Sequence, residues 1–400
     1  MIQLNDQQEF IVQKGVEFYR NSSKQVFQYS GGPGTGKSVV MKAIADRLVS
    51  QGFLTYDEIL PMAYTGQAAI VMRTKGFPNA RSIHSSIYTP EYLVKIENGN
   101  TVMNTTYNAP EMQIQMVPKP LNGIKLMMID EGWMVPRRMK YDIEKHGIKI
   151  IVGGDAGQLP PIADTPAYLI DGEIYWLTKV MRQAENSGIV YIANRCLQGL
   201  PIHTGLYGNA LVIEMNDLTD QMIAASHIII CGKNETRQRF NNRVRKDILH
   251  IAMDLPTYGE RVICRKNNWK MEIDGISLAN GLTGTCTSMP RIAEFDGNTF
   301  SMDFQPDLCY NQFSDLRCDY KYFIADASMK AKMKNVYGNG EKFDLAYALT
   351  THLAQGAEYP NGIYIEEQLR DASISPFLNN TGVTRFRQSM IYVKPSRRFW

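Results

Sequence analysis

The chain is 400 residues long, 44% hydrophobic and 21% charged, with a formal net charge of +3; this is ordinary for a globular protein and leaves room for two or three domains. No apolar run approaches the roughly 18 residues of a membrane span, and residues 1–10 are too polar for a signal peptide, so the expected location is cytoplasmic with no membrane partner. So small a positive excess excludes a uniformly cationic surface, and any grip on nucleic acid has to come from local basic patches and stacking side chains.

In chain order, Leu4-Asn5-Asp6-Gln7-Gln8 is a turn signal leading into a helix with Phe10, Ile11, Val16 and Phe18 on its apolar side. Gln8 is either surface filler or, a short way upstream of a glycine-rich loop, a reader of an adenine edge through its paired donor and acceptor. Next, Val26-Phe27-Gln28-Tyr29 feeds Gly31-Gly32-Pro33-Gly34-Thr35-Gly36-Lys37-Ser38 and then a stretch with Val40, Ile44 and Leu48 at helical spacing. Strand, glycine loop and helix in that order fit G-x-x-x-x-G-K-[ST], whose backbone N–H groups turn around phosphate oxygens at the positive end of a helix. Gly31, Gly34 and Gly36 permit close approach and positive φ, and Thr35 lies within the loop. Lys37 is placed to reach the β- and γ-phosphates of ATP, and Ser38 to ligate Mg2+. An ordinary glycine-rich turn is the competing reading, and the flanking strand and helix count against it.

A second strand over residues 59–64 ends in Thr65-Gly66-Gln67-Ala68-Ala69, a helix start, and Ser82-Ile83-His84-Ser85 follows. Polar strand ends at the carboxyl edge of a parallel sheet are where open α/β sheets place ligand contacts; a Thr N-cap and a surface His account for the same residues. Residues 91–97 and 101–107 flank Asn98-Gly99-Asn100 as the strands of a β-hairpin. This excursion of about 30 residues is longer than a compact α/β connection needs. Lys125-Leu126-Met127-Met128-Ile129-Asp130-Glu131 is an apolar run ending in two acids, the pattern of a buried parallel strand that delivers carboxylates to its carboxyl end. In a P-loop protein Asp130 would hold Mg2+ through water and Glu131 would orient and deprotonate the attacking water. Another apolar strand, residues 148–152, ends in Gly153-Gly154-Asp155-Ala156-Gly157-Gln158-Leu159-Pro160-Pro161. Its glycines and prolines fix a loop that puts Gln158 where a γ-phosphate sensor is useful.

In the second half, Arg182-Gln183 precedes a helix through Ile189, Ile192 and Ala193, and residues 227–231 form a strand. Arg237, Arg239, Arg243 and Arg245 then line a helix that is either solvated or faces a nucleic-acid backbone. From about residue 259 to 303 the period changes toward two, a β-rich insertion with Asp296-Gly297-Asn298 as a hairpin turn. Helical character is expected again over residues 343–358, and Thr384-Arg385-Phe386-Arg387 leads into a last strand. The six cysteines form no Cys-x-x-Cys pair and no zinc pattern with the histidines, so reduced, mostly buried thiols are expected.

Taken together, these residues resemble a superfamily 1 helicase of the 1B, RecD-like and Dda-like DNA helicase subgroup, over nearly the whole chain. Leu4 to Gln8 looks like the adenine-reading Q motif, Gly31 to Ser38 like motif I, and Thr65 to Ala69 like motif Ia, with Ser82 to Ser85 like the DNA-contacting segment after it. Asp130-Glu131 looks like motif II, Gly154 to Pro161 like motif III, and Arg182-Gln183 like motif IV. Ala346 to Glu358 is similar to motif V and Val383-Thr384-Arg385 to motif VI. Three departures stand out: Gly132-Trp133 replaces the usual small pair after Asp-Glu, Leu353 replaces a Lys after the motif V His, and Gly382-Val383 replaces Ala-Ile.

The resemblance implies an α/β fold of two RecA-like P-loop cores, residues 1–180 and 181–400. A β-hairpin insertion at about 88–120 in the first would act as a pin that splits the duplex, and a small SH3-like β-barrel at about 259–340 would sit in the second. It implies ATP and Mg2+ between the cores, with Lys37, Asp130, Glu131, Gln158, Arg182 and Arg385 catalytic. Because Arg182 and Arg385 come from the second half, they would stabilise transition-state charge only when the cores close. Single-stranded DNA would cross the top, on Thr65, His84, Arg237, Asn241, Thr351 and His352. The implied activity is 5′-to-3′ translocation with unwinding at duplex junctions, in replication, repair or recombination and alongside a single-strand-binding or replisome partner. An ATP-gated single-strand clamp, or an RNA-directed translocase without processive unwinding, is the second reading; a P-loop kinase needs no second core with its own arginines and is disfavoured.

Overall fold

The structure is a computed structural model that describes residues 3–104, 109–161, 164–181, 187–292, 298–333, 340–367, 369 and 371–395. Its contacts gather into two compact units, one of residues Met1–Ile87, Pro120–Lys233 and Leu349–Trp400, the other of Tyr88–Lys119 and Asn234–Ala348.

The first unit holds two sheets. In the first sheet the strands run in the order Ile174–Leu177, Val26–Gly31, Lys149–Gly154, Leu126–Asp130, Ile59–Ala63 and Arg81–Ser82. Every pairing is parallel, with Val26 opposite Ile150, Leu126 opposite both Lys149 and Ile59, and Met62 opposite Arg81. Continuous apolar runs suit this arrangement because both faces are covered, and Leu126, Met127, Met128 and Ile129 are fully buried. The strand Ile174–Leu177, which the sequence reading missed, pairs parallel with Gln28–Gly31 at the edge. On one face the helices Asp6–Asn21 and Lys37–Ser50 bring Ile11, Val12 and Val16 together with Val40, Ile44 and Leu48 in one core. Gly15 lets them close: a Cβ there would lie 2.7 Å from Ile44 Cδ1.

The second sheet has the order Gly205–Tyr207, Ala210–Glu214, Phe386–Lys394, Tyr359–Ile365, Ile229–Cys231 and Ala348–Thr350. Its central pairings are parallel, Val212 with Tyr392, Ile363 with Ile391 and Ile229 with Ile363. The helix expected over residues 343–358 is a correction: Phe343–Leu345 and Ala348–Thr350 are strands, and only Thr351–Ala354 is helical. The run is buried on all sides, so helical and strand periods look alike there, and short buried strands prevail.

In the second unit, strands Arg261–Cys264, Thr283–Cys286, Thr299–Pro306, Phe313–Asp319 and Phe343–Leu345 form an antiparallel sheet with Arg291–Ile292 at one edge. Its two ends approach each other: Cys318 of the strand Phe313–Asp319 bridges in parallel to Glu341, just before Phe343–Leu345, with Asp319 N–H donating to Glu341 O at 2.8 Å and Glu341 N–H to Arg317 O at 2.7 Å. The turn expected at Asp296-Gly297-Asn298 lies partly outside the described residues. The long hairpin belongs to this unit. Tyr88–Val94 pairs with Met112–Pro118, from Tyr88 opposite Pro118 to Val94 opposite Met112, so residues 91–94 return onto 112–115; only Ile96 and Glu97 pair with the start of the expected return strand, at Thr101 and Asn100, and residues 105–107 lie outside the described residues. At the tip Glu97 pairs with Asn100 across Asn98 (φ 51°) and Gly99 (φ 79°), the two left-handed residues that a tight hairpin turn demands. Lys270 Nζ lies 4.9 Å from the centre of the Tyr92 ring, where hairpin and β-rich segment meet.

Two arginines of the expected basic helix are buried in this unit. Arg237 Nη1 donates to Asp344 Oδ2 at 2.9 Å, and Arg245 Nε donates to Glu260 Oε1 at 2.9 Å. Burial alone would raise the Asp344 carboxyl, but the charges of Arg237 and Lys330 outweigh it and hold it below its ordinary value. The pair therefore adds stability above the usual carboxylate range and loses it as pH falls through that depressed value. Arg237→Ala, which takes the leading cation from the buried Asp344 and leaves it Lys330 at 3.2 Å, is expected to cost about 2 kcal/mol at neutral pH. Denaturant melts of the variant check this, and an unchanged midpoint would mean the pair contributes nothing.

Candidate nucleotide site and nucleic-acid face

The P-loop turns where its glycines allow it. Gly34 (φ 74°) and Gly36 (φ 84°) are left-handed, and Gly36 opens the helix Lys37–Ser50 with Ser38 in its first turn. Gln8 is fully buried rather than surface filler. Its Oε1 accepts from Asn5 N–H at 3.1 Å while Asn5 Oδ1 accepts from Gln8 N–H at 2.9 Å, a capping box for the first helix. Its Nε2 donates to Thr35 O at 3.0 Å. Any Cβ on Gly36 would run into that amide, so the glutamine packs directly on the loop. Lys37 Nζ donates to Gly31 O at 2.8 Å and Gly32 O at 3.2 Å, and lies 3.9 Å from Asp155 Oδ2.

Asp130 ends a fully buried strand and Glu131 follows with φ 53°, a left-handed conformation that strains a non-glycine residue. The Glu131 N–H donates to Asp130 Oδ1 at 2.9 Å. Burial raises the Asp130 carboxyl and the Glu131 charge raises it further, against the pull of Lys75 and Lys37. Burial also raises Asp155, with Lys37 and, more weakly, Arg385 opposing. Glu131 Oε2, Asp155 Oδ2, Gln158 Oε1 and Asn380 Oδ1 are buried acceptors without a hydrogen-bond partner among the described residues.

The loop around Gln158 is held from two sides. From the first sheet, Trp133 Nε1 donates to Gln158 O at 2.9 Å. From the second, Asn380 Nδ2 donates to Gly157 O at 2.9 Å, Thr381 Oγ1 accepts from Leu159 N–H at 2.8 Å, and Gln355 Nε2 donates to Leu159 O at 2.9 Å. Arg385, 4% exposed, is clamped by Thr381 O at 2.9 Å, Thr384 Oγ1 at 3.2 Å and Ala357 O at 3.3 Å. A further tie joins Lys75 to Glu358 Oε1 at 2.6 Å, with Arg387 Nε on Glu358 Oε2 at 2.7 Å. Arg182 lies outside the described residues. Gln355, Asn380 and Thr381 were missed as site residues; the signal was three consecutive polar residues, Asn379-Asn380-Thr381, in a helix whose neighbours are apolar.

Neighbours explain two of the sequence departures. A side chain at position 132 would collide with Val152 Cγ1, and one at 382 with the Tyr364 ring, so glycine is the residue that fits both. Nothing in the structure explains Leu353.

The expected nucleic-acid residues divide. Thr65 caps the helix Gly66–Thr74, accepting from Ala68 N–H at 3.1 Å, and Gly356 lies against it so closely that a Cβ there would be 3.0 Å from Thr65 Oγ1. The His84 ring stands 5.9 Å from that of Tyr64. Burial and then the nearby Arg138 charge push its pKa down to about 4, so at neutral pH it is an uncharged imidazole. His352 is likewise pushed down by burial. Thr351 is fully buried and donates to Cys231 O at 3.3 Å. Arg237 and Asn241 are corrections as phosphate contacts: the first is locked on Asp344, and the second donates to Ala348 O at 3.1 Å and accepts from Ala348 N–H at 2.8 Å, both buried.

Residues 16–164 match the AAA domain family. Over its whole length the chain is similar in fold to solved Pif1 helicases. One, from work on DNA unwinding at forked duplex by two coordinating Pif1 helicases, is 17% identical with a TM-score of 0.54, over 98% of this chain and 92% of that one. Candida albicans Pif1 is 14% identical with a TM-score of 0.52, over 98% and 94%. Bacteroides Pif1 in complex with ADP-AlF3 and single-stranded DNA is 17% identical with a TM-score of 0.53, over 98% and 92%. At these identities the likeness establishes the fold.

Proposed function

We propose that this chain is an ATP-dependent DNA helicase that hydrolyses ATP to move on single-stranded DNA, in the 5′-to-3′ direction, and to unwind duplex. The observation that carries the reading is convergence: Lys37, which opens the helix after the first-sheet strand Val26–Gly31, approaches Asp155 at 3.9 Å, while three side chains from helices that connect strands of the second sheet hold the same loop two to four residues further on. A loop bonded to both sheets transmits to the second what a nucleotide does at the first, which a metabolite kinase has no use for. The Pif1 helicases of the same fold are described as unwinding forked duplex and, from Bacteroides, as binding ADP-AlF3 and single-stranded DNA, which supports the substrates.

The residues fit ATP with Mg2+. A left-handed glycine loop at a helix N-terminus suits phosphates, and the orphaned acceptors of Glu131 and Gln158 lack partners that a water or phosphate group would provide. Ser38 and Asp130 would hold Mg2+, which neutralises phosphate charge when bound. Among the described residues no group of three acidic, His or Cys side chains gathers as a protein metal cage, in keeping with an ion held by few protein ligands and by phosphate. Glu131 accepts the proton of the attacking water, Gln158 senses the γ-phosphate, and Arg385 and Arg182 bring positive charge from the second core. Gln8 Nε2 donates to both Thr35 O and Met181 Sδ, and its Oε1 accepts from Asn5 N–H, so Gln8 meets a base only through the remaining lone pair of Oε1.

ATPase measured with and without single strands, beside displacement of duplexes tailed 5′ or 3′, tests the reading. Single-strand-stimulated hydrolysis with no displacement on either tail would favour the ATP-gated clamp instead. Replacing residues 95–102 at the hairpin tip with a short Gly-Ser turn is expected to leave stimulated ATPase largely intact and strongly reduce displacement, because it removes the tip that carries the exposed Ile96 beyond the exposed Val94. If both activities fall together, the hairpin is structural. Titration of His84 by NMR should give a midpoint of about 4. Since its folded pKa lies below the unfolded value, His84 withdraws stability as pH falls from about 6.5 toward 4. A midpoint near 6.5 would show it exposed and free to charge.

A further inference from the structure

We infer that Trp133 is a positioning residue for hydrolysis, acting through Gln158; the inference rests on the ATPase reading above. Trp133 follows Glu131 by two residues, and its ring is half-buried. Gly132, which has no room for a side chain against Val152, and Gly154, whose Cβ would lie 3.2 Å from Trp133 N, let the turn after Glu131 pass close beside the strand Lys149–Gly154. That approach brings Trp133 Nε1 to 2.9 Å from Gln158 O.

The backbone on either side of Gln158 is bonded to helices that connect strands of the second sheet, through Gly157 O, Leu159 N–H and Leu159 O. The Gln158 carbonyl is the group in this run bonded to the turn that carries the water-activating carboxylate. Gln158 is 3% exposed, and its Oε1 has no partner among the described residues. Gln158 O and Leu159 N–H form one peptide group, so Trp133 at one end and Thr381 at the other fix its plane and hence the direction in which the Gln158 side chain leaves the backbone. The indole therefore sets the sensor relative to Glu131 and passes a shift of either to the other, without touching ATP itself.

The test compares wild type, Trp133→Phe, a Trp133→3-benzothienylalanine variant that keeps the bicyclic shape but replaces N–H by sulfur, Gln158→Ala, and the double variant Trp133→Phe with Gln158→Ala. Stimulated kcat is expected to fall roughly three- to tenfold in both Trp133 variants, the worth of one ordinary hydrogen bond. KM for ATP should move by less than about twofold, since the P-loop is untouched. In the Gln158→Ala background, Trp133→Phe should cost almost nothing further, because the residue through which it acts is gone. A wild-type kcat in the isosteric variant, a change carried in KM, or additive losses in the double variant would each overturn the assignment. If Trp133→Phe fails to fold, the isosteric variant alone decides. Absence of hydrolysis by wild type would instead refute the ATPase reading, before any variant is compared.

Discussion

Glu131→Gln is expected to lower ATP turnover roughly 10²- to 10⁴-fold, the range that a positioned general base supplies, while leaving nucleotide affinity near that of wild type. The amide has almost the shape of the carboxylate, and the contact from the residue 131 N–H to Asp130 Oδ1 belongs to the backbone, so the turn keeps its geometry. What disappears is the basic oxygen. The substitution also removes the second cause of the raised Asp130 carboxyl, so Asp130 ionises more readily and the proposed Mg2+ contact is not weakened. Single-turnover hydrolysis alongside equilibrium binding of a fluorescent ATP analogue separates the two effects. Lost affinity with a preserved rate would make Glu131 a binding residue and the assignment wrong.

Lys37→Ala should reduce hydrolysis by about 10³-fold, at the upper end of what removing one preorganised donor from developing charge costs. Here the lysine has a second partner to lose. Its charge is the leading force that opposes the burial of Asp155, so without it Asp155 is protonated at a higher pH than in wild type, and the loop with Gln158 loses a charge as well as the phosphates their counter-ion. Single-strand binding should persist, since it draws on a different surface and on stacking. Turnover near that of wild type would remove the P-loop from the mechanism.

The parts legible in the sequence were those whose cause is local. Gly31 to Ser38 and the strand ending in Asp130-Glu131 declare themselves because backbone conformation and burial there follow from adjacent residues. Asn98-Gly99 likewise marks the hairpin tip, since positive φ at both positions suits few other pairs. Where the deciding partner is distant, the reading failed. Arg237 looks like one of four solvated arginines until Asp344, 107 residues away, is brought beside it. Asn241 is drawn inward in the same way by the backbone of Ala348. The tip pairing of Ile96-Glu97 with Asn100-Thr101 was legible, but the base of the hairpin was not, because only the register with Tyr88–Val94 selects residues 112–118 as its partner. The role of Gln8 was half visible: its place before the P-loop was informative, but that it braces Thr35 depends on a fold-level approach of helix and loop.

The bonds from Asn380, Thr381 and Gln355 to the backbone of Gly157 and Leu159 carry an obligation of thermodynamic reciprocity. If nucleotide at the P-loop changes the hold of the second sheet on a DNA strand by some factor, the strand must change nucleotide affinity by the same factor. Variants that cut these bonds should therefore shrink both effects in equal measure, even where affinity for either ligand alone is unaltered. A motor built this way is tuned through the stiffness of one short loop, and its step can be uncoupled from its fuel without touching a residue that meets either.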